Sequence, residues 1–124
     1  MAAACGPDFP SLPAKVAAGN VSDLAQGTLR AITGEGVAIG RDASGIYALS
    51  LICTHQGCDI SVDGSVSTGG IDCFCHGSVF NAQGTVLRGP ARTSLPHLLV
   101  TEDAAGDLTI HGDQTTDPST RLPA

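Results

Sequence analysis

The sequence predicts an all-β, antiparallel fold, on three observations. Gly 16 and Pro 7 make up nearly a fifth of the 124 residues, against about 12% in average usage, a composition rich in turns and hostile to helical bundles. Apolar residues fall in short runs bounded by turn signals. No stretch carries the sustained helical period of a long amphipathic helix. The length fits one domain, and no internal repeat is evident. Aromatics are 3% and Trp is absent, so a core drawn from 42% hydrophobic residues must rest on Val, Ile, Leu and Ala.

The elements follow in order. Residues 1–13 form an N-terminal segment punctuated by Pro7, Pro10 and Pro13. Strands are expected at 15–21, 28–33 and 37–41, separated by Gly27, Gly34 and Gly36. A strand at 46–51 follows the turn Asp42-Ala43-Ser44-Gly45. Strands at 98–101 and 108–111 flank Ala104-Ala105-Gly106-Asp107, a closing hairpin. The body of the domain is thus 14–112. Residues 113–124 are polar with few core residues and read as a loose tail. Gly34-Glu35-Gly36 is glycine-rich, but its spacing is wrong for a dinucleotide loop and no helix follows.

The formal net charge is −6, and the basic residues Lys15, Arg30, Arg41, Arg88, Arg92 and Arg121 are scattered. Nucleic-acid binding needs a basic patch to neutralise phosphates, so that class is excluded. No apolar run reaches the roughly 18–20 residues of a membrane span. No charged and apolar signal-peptide pattern is visible. Ala3-Ala4-Cys5-Gly6 nevertheless resembles the end of a bacterial lipobox. Cys5 is therefore a candidate lipid anchor, with residues 1–13 as its remnant. The other reading is a lone cysteine at a frayed terminus.

The remaining four cysteines and two of the histidines lie in two short boxes. They are Cys53-Thr54-His55-Gln56-Gly57-Cys58 and Cys73-Phe74-Cys75-His76-Gly77-Ser78-Val79-Phe80. Thiolates and neutral imidazoles are the standard ligands of iron and zinc. Cys53 and His55 are two residues apart and Cys73 and His76 three, so each pair can close on a metal from one tight loop. Three readings are open on these residues. Two structural disulfides leave both histidines unexplained. A Cys₂His₂ zinc site uses the ligand types but not the usual finger spacing, and leaves a cysteine over in each box. The third is a [2Fe–2S] cluster with cysteine on one iron and histidine on the other.

The two boxes, in residue type, order and separation, resemble the signature of Rieske iron–sulfur proteins. The resemblance implies an antiparallel β-sandwich with an inserted cluster-binding subdomain, about 51–92 here. It implies Cys53 and Cys73 on the inner iron, His55 and His76 on the outer iron, and a Cys58–Cys75 disulfide between the loops. That disulfide is similar to the high-potential members of quinol-oxidising complexes and arsenite oxidases, and points away from ring-hydroxylating oxygenase chemistry. Cluster tuning is implied for Gly77, Ser78, Phe80 and Pro90. Ser78 matches a serine whose hydroxyl bonds a bridging sulfide. Phe80 stands where such members commonly carry a tyrosine that bonds a ligand thiolate. Gly89-Pro90-Ala91 resembles a proline loop covering the cluster. Arg88 and Arg92, which flank it, read as solvated, and His97 and His111 as strand or surface residues rather than ligands.

Exchanging two thiolates for neutral imidazoles removes negative charge and eases acceptance of an electron. Rieske centres therefore run from about −150 to +300 mV, against about −400 mV for plant-type ferredoxins. The implied function is one-electron transfer, as a periplasmic carrier or small subunit of a quinol- or arsenite-oxidising chain rather than a stand-alone enzyme. The implied partners are a cytochrome c, a cytochrome b, a molybdenum subunit or a quinol. Asp59, Asp63 and Asp72 near the boxes favour a basic acceptor. The alternatives are a ferredoxin-like donor to an oxygenase or reductase, and a structural zinc module. A disulfide implies an oxidising compartment, hence the periplasm or the outer face of the membrane.

Overall fold

The computed structural model describes residues 12–54, 57–75 and 77–123. The segment carrying Cys5, and the residues His55 and His76, lie outside the described residues. The strands are β1 (Val16–Asn20), β2 (Thr28–Ile32), β3 (Val37–Asp42), β4 (Gly45–Ser50), β5 (Gly64–Ser67), β6 (Gly70–Cys73), β7 (Val79–Phe80), β8 (Val86–Arg88), β9 (His97–Glu102) and β10 (Asp107–Thr116). One 3₁₀ turn, Val21–Asp23, follows β1. No helix among the described residues is long and apolar enough to cross a membrane.

The expected antiparallel all-β architecture is present. A six-stranded base sheet runs β1-β10-β9-β4-β3-β2, and a four-stranded sheet runs β5-β6-β7-β8. All pairings are antiparallel. The small sheet is inserted between β4 and β9, which then pair with each other through His97–Leu49 and Leu98–Ala48. The β3–β4 turn is set by Asp42, whose Oδ1 accepts from the Ser44 N–H at 2.9 Å, and by Gly45 at φ 132°. A side chain there is strained in that backbone region.

Strand β4 positions everything else. All six of its residues are buried, and their period of two divides them between two cores. Ile46 and Ala48 join Val37, Ile39, Leu98, Leu108 and Ile110 inside the base sheet. Tyr47 and Leu49 face the other way, joining Cys53, Ile60, Ile71, Cys73 and Phe80 beneath the small sheet. The cysteine boxes therefore grow out of a packed layer rather than from free loops.

One expectation is corrected. The expected loose tail is not loose over its described residues, 113–123: β10 continues to Thr116, and the chain returns to the base sheet at Leu122. Leu122 and Ile46 exchange both backbone hydrogen bonds, at 2.8 and 2.9 Å. Arg121 forms a bidentate pair with Asp42 and lies 4.6 Å over the Tyr47 ring. The polar run hid two anchoring residues at its end, and the stretch before them merely spans the distance.

Candidate metal centre

Each box is closed by the same pair of backbone hydrogen bonds. Gly57 N–H donates to Cys53 O at 2.8 Å and Cys53 N–H to Cys58 O at 2.7 Å. In the second box Gly77 N–H donates to Cys73 O at 3.0 Å and Cys73 N–H to Ser78 O at 2.9 Å. Gly57 and Gly77 have φ of 80° and 85°, the left-handed region that a tight loop needs and glycine enters without cost. The repeated Cys-x-x-x-Gly spacing is the sequence signal for this matched geometry.

The loops are joined by the expected Cys58–Cys75 disulfide, with Cα atoms 6.7 Å apart. Cys53 and Cys73 carry thiols and are buried at the starts of the loops. The sulfurs of Cys58, Cys73 and Cys75 lie within 4.8 Å of one another. Among the described residues, sequence-predicted Cys53, Cys58, Cys73, Cys75, Gly77 and Ser78 are thus brought together.

Segment 89–93 reaches both boxes. Ala91 N–H donates to Ser78 Oγ at 2.9 Å, and Thr54 Oγ1 donates to Thr93 O at 2.7 Å. Ser78 is 0% exposed. Its oxygen accepts from Ala91, which leaves its one hydroxyl hydrogen to donate elsewhere. Phe80 is also 0% exposed, packed with Cys53 and Cys73 in one core. Pro90 is exposed beside these contacts. An open groove of about 480 Å³ lies alongside, lined by Asp72, Phe74, Gly77, Val79 and Arg88 among others.

His97 and His111 lie on β9 and β10, away from the boxes. His111 Nε2 and Thr101 Oγ1 are hydrogen-bonded at 2.8 Å. His97 is buried, with Nε2 at 2.8 Å from Gln83 O, so that nitrogen carries the proton. Its Nδ1 is buried with no partner among the described residues. Burial holds its pKa below the ordinary imidazole value, partly offset by the Gln83 carbonyl. Its ring stacks on Tyr47 at 5.7 Å. The Tyr47 hydroxyl donates to Ala82 O at 2.7 Å, and burial first, then Asp42, pushes its pKa up to about 12. The Arg121 hydrogen bonds hold the Asp42 carboxyl below its ordinary range. Sequence reasoning did not single out Tyr47, Arg121 or the Thr54 contact, because each partner is distant in sequence.

A β domain that presents two matched thiol loops, tied by a disulfide and both hydrogen-bonded to a third segment, is of the class that holds a redox metal cluster. The Rieske [2Fe-2S] domain family matches residues 14–99, and the chain belongs to that family. The carotenoid phi-ring synthase of Chlorobaculum tepidum is 39% identical over 83 residues, 67% of this chain and 12% of that protein. The cytochrome b6-f complex iron-sulfur subunit of Prochlorococcus marinus is 46% identical over 56 residues, 45% of this chain and 30% of that subunit. The chain thus spans well under half of these relatives. The plasma membrane Rieske protein PetC3 of Synechocystis PCC 6803 superposes with a TM-score of 0.57 at 32% identity, covering 77% of this chain and 97% of that one. A chain from the oxygenase–ferredoxin complex of carbazole 1,9a-dioxygenase superposes at 0.58 with 25% identity, covering 84% and 98%.

The cofactor of such a domain is a [2Fe–2S] cluster, a centre for electron transfer. The chemistry of the donors fits it: two buried thiols start paired loops while the spare cysteines are consumed by the disulfide. When bound, the cluster supplies a site that gains and loses one electron. The protein's part is to fix the loops and to keep water from the two thiols.

Proposed function

We propose that this chain is a periplasmic or outer-face electron-transfer domain of the disulfide-containing type, serving a quinol-oxidising or arsenite-oxidising chain. The Cys58–Cys75 disulfide carries this reading. It ties the two ligand loops and needs an oxidising compartment to persist. Cys53 and Cys73 would hold one iron and His55 and His76 the other, with Ser78 placed to donate to a cluster sulfur and Pro90 to cover one side. Gly77 lets the second loop turn tightly. In the quinol case an outer imidazole accepts a hydrogen bond from the substrate hydroxyl. A bound cluster would supply the one-electron acceptor, and the outer imidazole nitrogen would be the base that holds the substrate's proton. Similarity to cytochrome b6-f subunits supports a cytochrome-containing partner. Cys5 is the proposed lipid tether, tested by membrane fractionation of Cys5→Ala.

A second reading, a ferredoxin-like donor to an oxygenase, is favoured by the equally good superposition on the oxygenase–ferredoxin complex chain. Redox titration against pH, followed by electron paramagnetic resonance of the reduced protein, separates them. The first reading expects a positive potential that falls with rising pH as outer imidazoles titrate. A negative potential, flat up to neutral pH and slightly above, overturns it. A colourless, signal-free protein restores the zinc reading.

A further inference from the structure

We propose that Tyr47 and His97 are positioning residues that set the Ser78–Ala91 contact from the opposite end of the β7–β8 hairpin. The inference rests on the reading above that Ser78 donates to the cluster. Strand β7 follows directly from Ser78, and β8 leads directly into Gly89-Pro90-Ala91. The open end of this hairpin thus carries Ser78 and Ala91, joined at 2.9 Å. The closed end is the turn 81–85, closed by Asn81 N–H to Thr85 O at 2.8 Å and by the Asn81 side chain, which accepts from Gln83 and Thr85.

Two side chains of the base sheet grip that closed end. Tyr47 donates to Ala82 O at 2.7 Å and His97 Nε2 donates to Gln83 O at 2.8 Å, on consecutive carbonyls. They come from adjacent strands, β4 and β9, and stack on each other. Arg121 lies over Tyr47 and is itself held by Asp42. Short strands of two and three residues have few ladder bonds of their own to fix their angle. With the far end pinned to the packed sheet, the hairpin acts as a short rigid lever. Its open end then holds Ala91 N–H on Ser78 Oγ, and that bond leaves the hydroxyl hydrogen free to point at the cluster.

The test uses the iron-loaded protein with Tyr47→Phe, His97→Phe and His97→Gln, each alone and combined with Ser78→Ala. Amide exchange is read at Ala91, with the Ile39 amide of β3 as internal control. Tyr47→Phe and His97→Phe are expected to speed exchange at Ala91 by about tenfold or more while Ile39 is unchanged. His97→Gln, whose amide can donate to Gln83 O, is expected to stay near the unsubstituted protein. The midpoint potential should fall in the two phenylalanine variants, and should not fall further when Ser78 is already alanine. Unchanged protection at Ala91 overturns the proposal, as does an equal fall in potential with and without Ser78. Should Ser78→Ala alone leave the potential unchanged, the reading of Ser78 as a cluster donor fails, while Ala91 exchange still decides the pins.

Discussion

Removing the disulfide by Cys58→Ala with Cys75→Ala perturbs one covalent link and little else, since both cysteines are only partly buried against the core beneath the small sheet. The cysteines are 17 residues apart. Closing a loop of that length in the unfolded chain corresponds to about 3 kcal/mol of stability. A cluster held by Cys53, His55, Cys73 and His76 shortens the loop the disulfide closes, because Cys58 lies three residues past His55 and Cys75 one before His76. The remaining contribution is then about 2 kcal/mol. For a domain of this size, roughly 4 °C per kcal/mol converts the range to a fall of about 8–12 °C in Tm. Thermal unfolding of the iron-loaded protein is followed by visible absorbance of the cluster and by far-ultraviolet circular dichroism. Chelator-treated protein, if it unfolds cooperatively, is expected at the upper end of the range. A fall smaller than about 3 °C would falsify the reasoning, by showing that the two loops are held together without the bond.

Phe80→Tyr should raise the potential: a hydrogen bond to a charged acceptor is worth about 1.5–3 kcal/mol, and a redox-state difference of about 1 kcal/mol is roughly 40 mV for one electron. Because the site is 0% exposed, a hydroxyl that finds no thiolate shows instead as lost stability with an unchanged or lower potential, which counts against the tuning role. Burial holds His97 below its usual pKa of 6.5, so the fold favours its neutral form. That contribution is complete above about pH 6.5 and is lost as pH falls through 6.5 toward the folded value. The Tm should therefore decline from pH 7 to 5, and His97→Gln should flatten the decline; an equally steep profile in the variant removes His97 as the cause. Gly40→Ala would place a Cβ 2.6 Å from Tyr47 Cζ, and the ring is held by Ala82 and Arg121. A loss of about 1–3 kcal/mol is expected in denaturant unfolding, and a loss below about 0.5 kcal/mol would mean that the ring shifts freely.

The metal centre was legible in the chain because ligand chemistry is local: cysteine and histidine within three residues can close on one metal whatever surrounds them. The base strands were legible for a similar reason, since short apolar runs punctuated by glycine are a short-range property. Their ends moved by a residue or two, except that β10 ran five residues past its expected end, to Thr116. The short strands of the inserted sheet carried no such apolar run and emerged only with the fold. Distant pairings were not legible at all. Arg121 meets Asp42 across 79 residues and Tyr47 meets Ala82 across 35. Nothing local marks such partners, because they are selected by how the layers pack. The sequence alone determined the class of fold, the two boxes and the cluster chemistry. The tertiary structure decided that a polar tail is an anchored strap, that the two boxes are matched hydrogen-bonded loops, and that two base-sheet side chains grip the hairpin leading to Ser78. Burial and register, which depend on the whole chain at once, fix those three features.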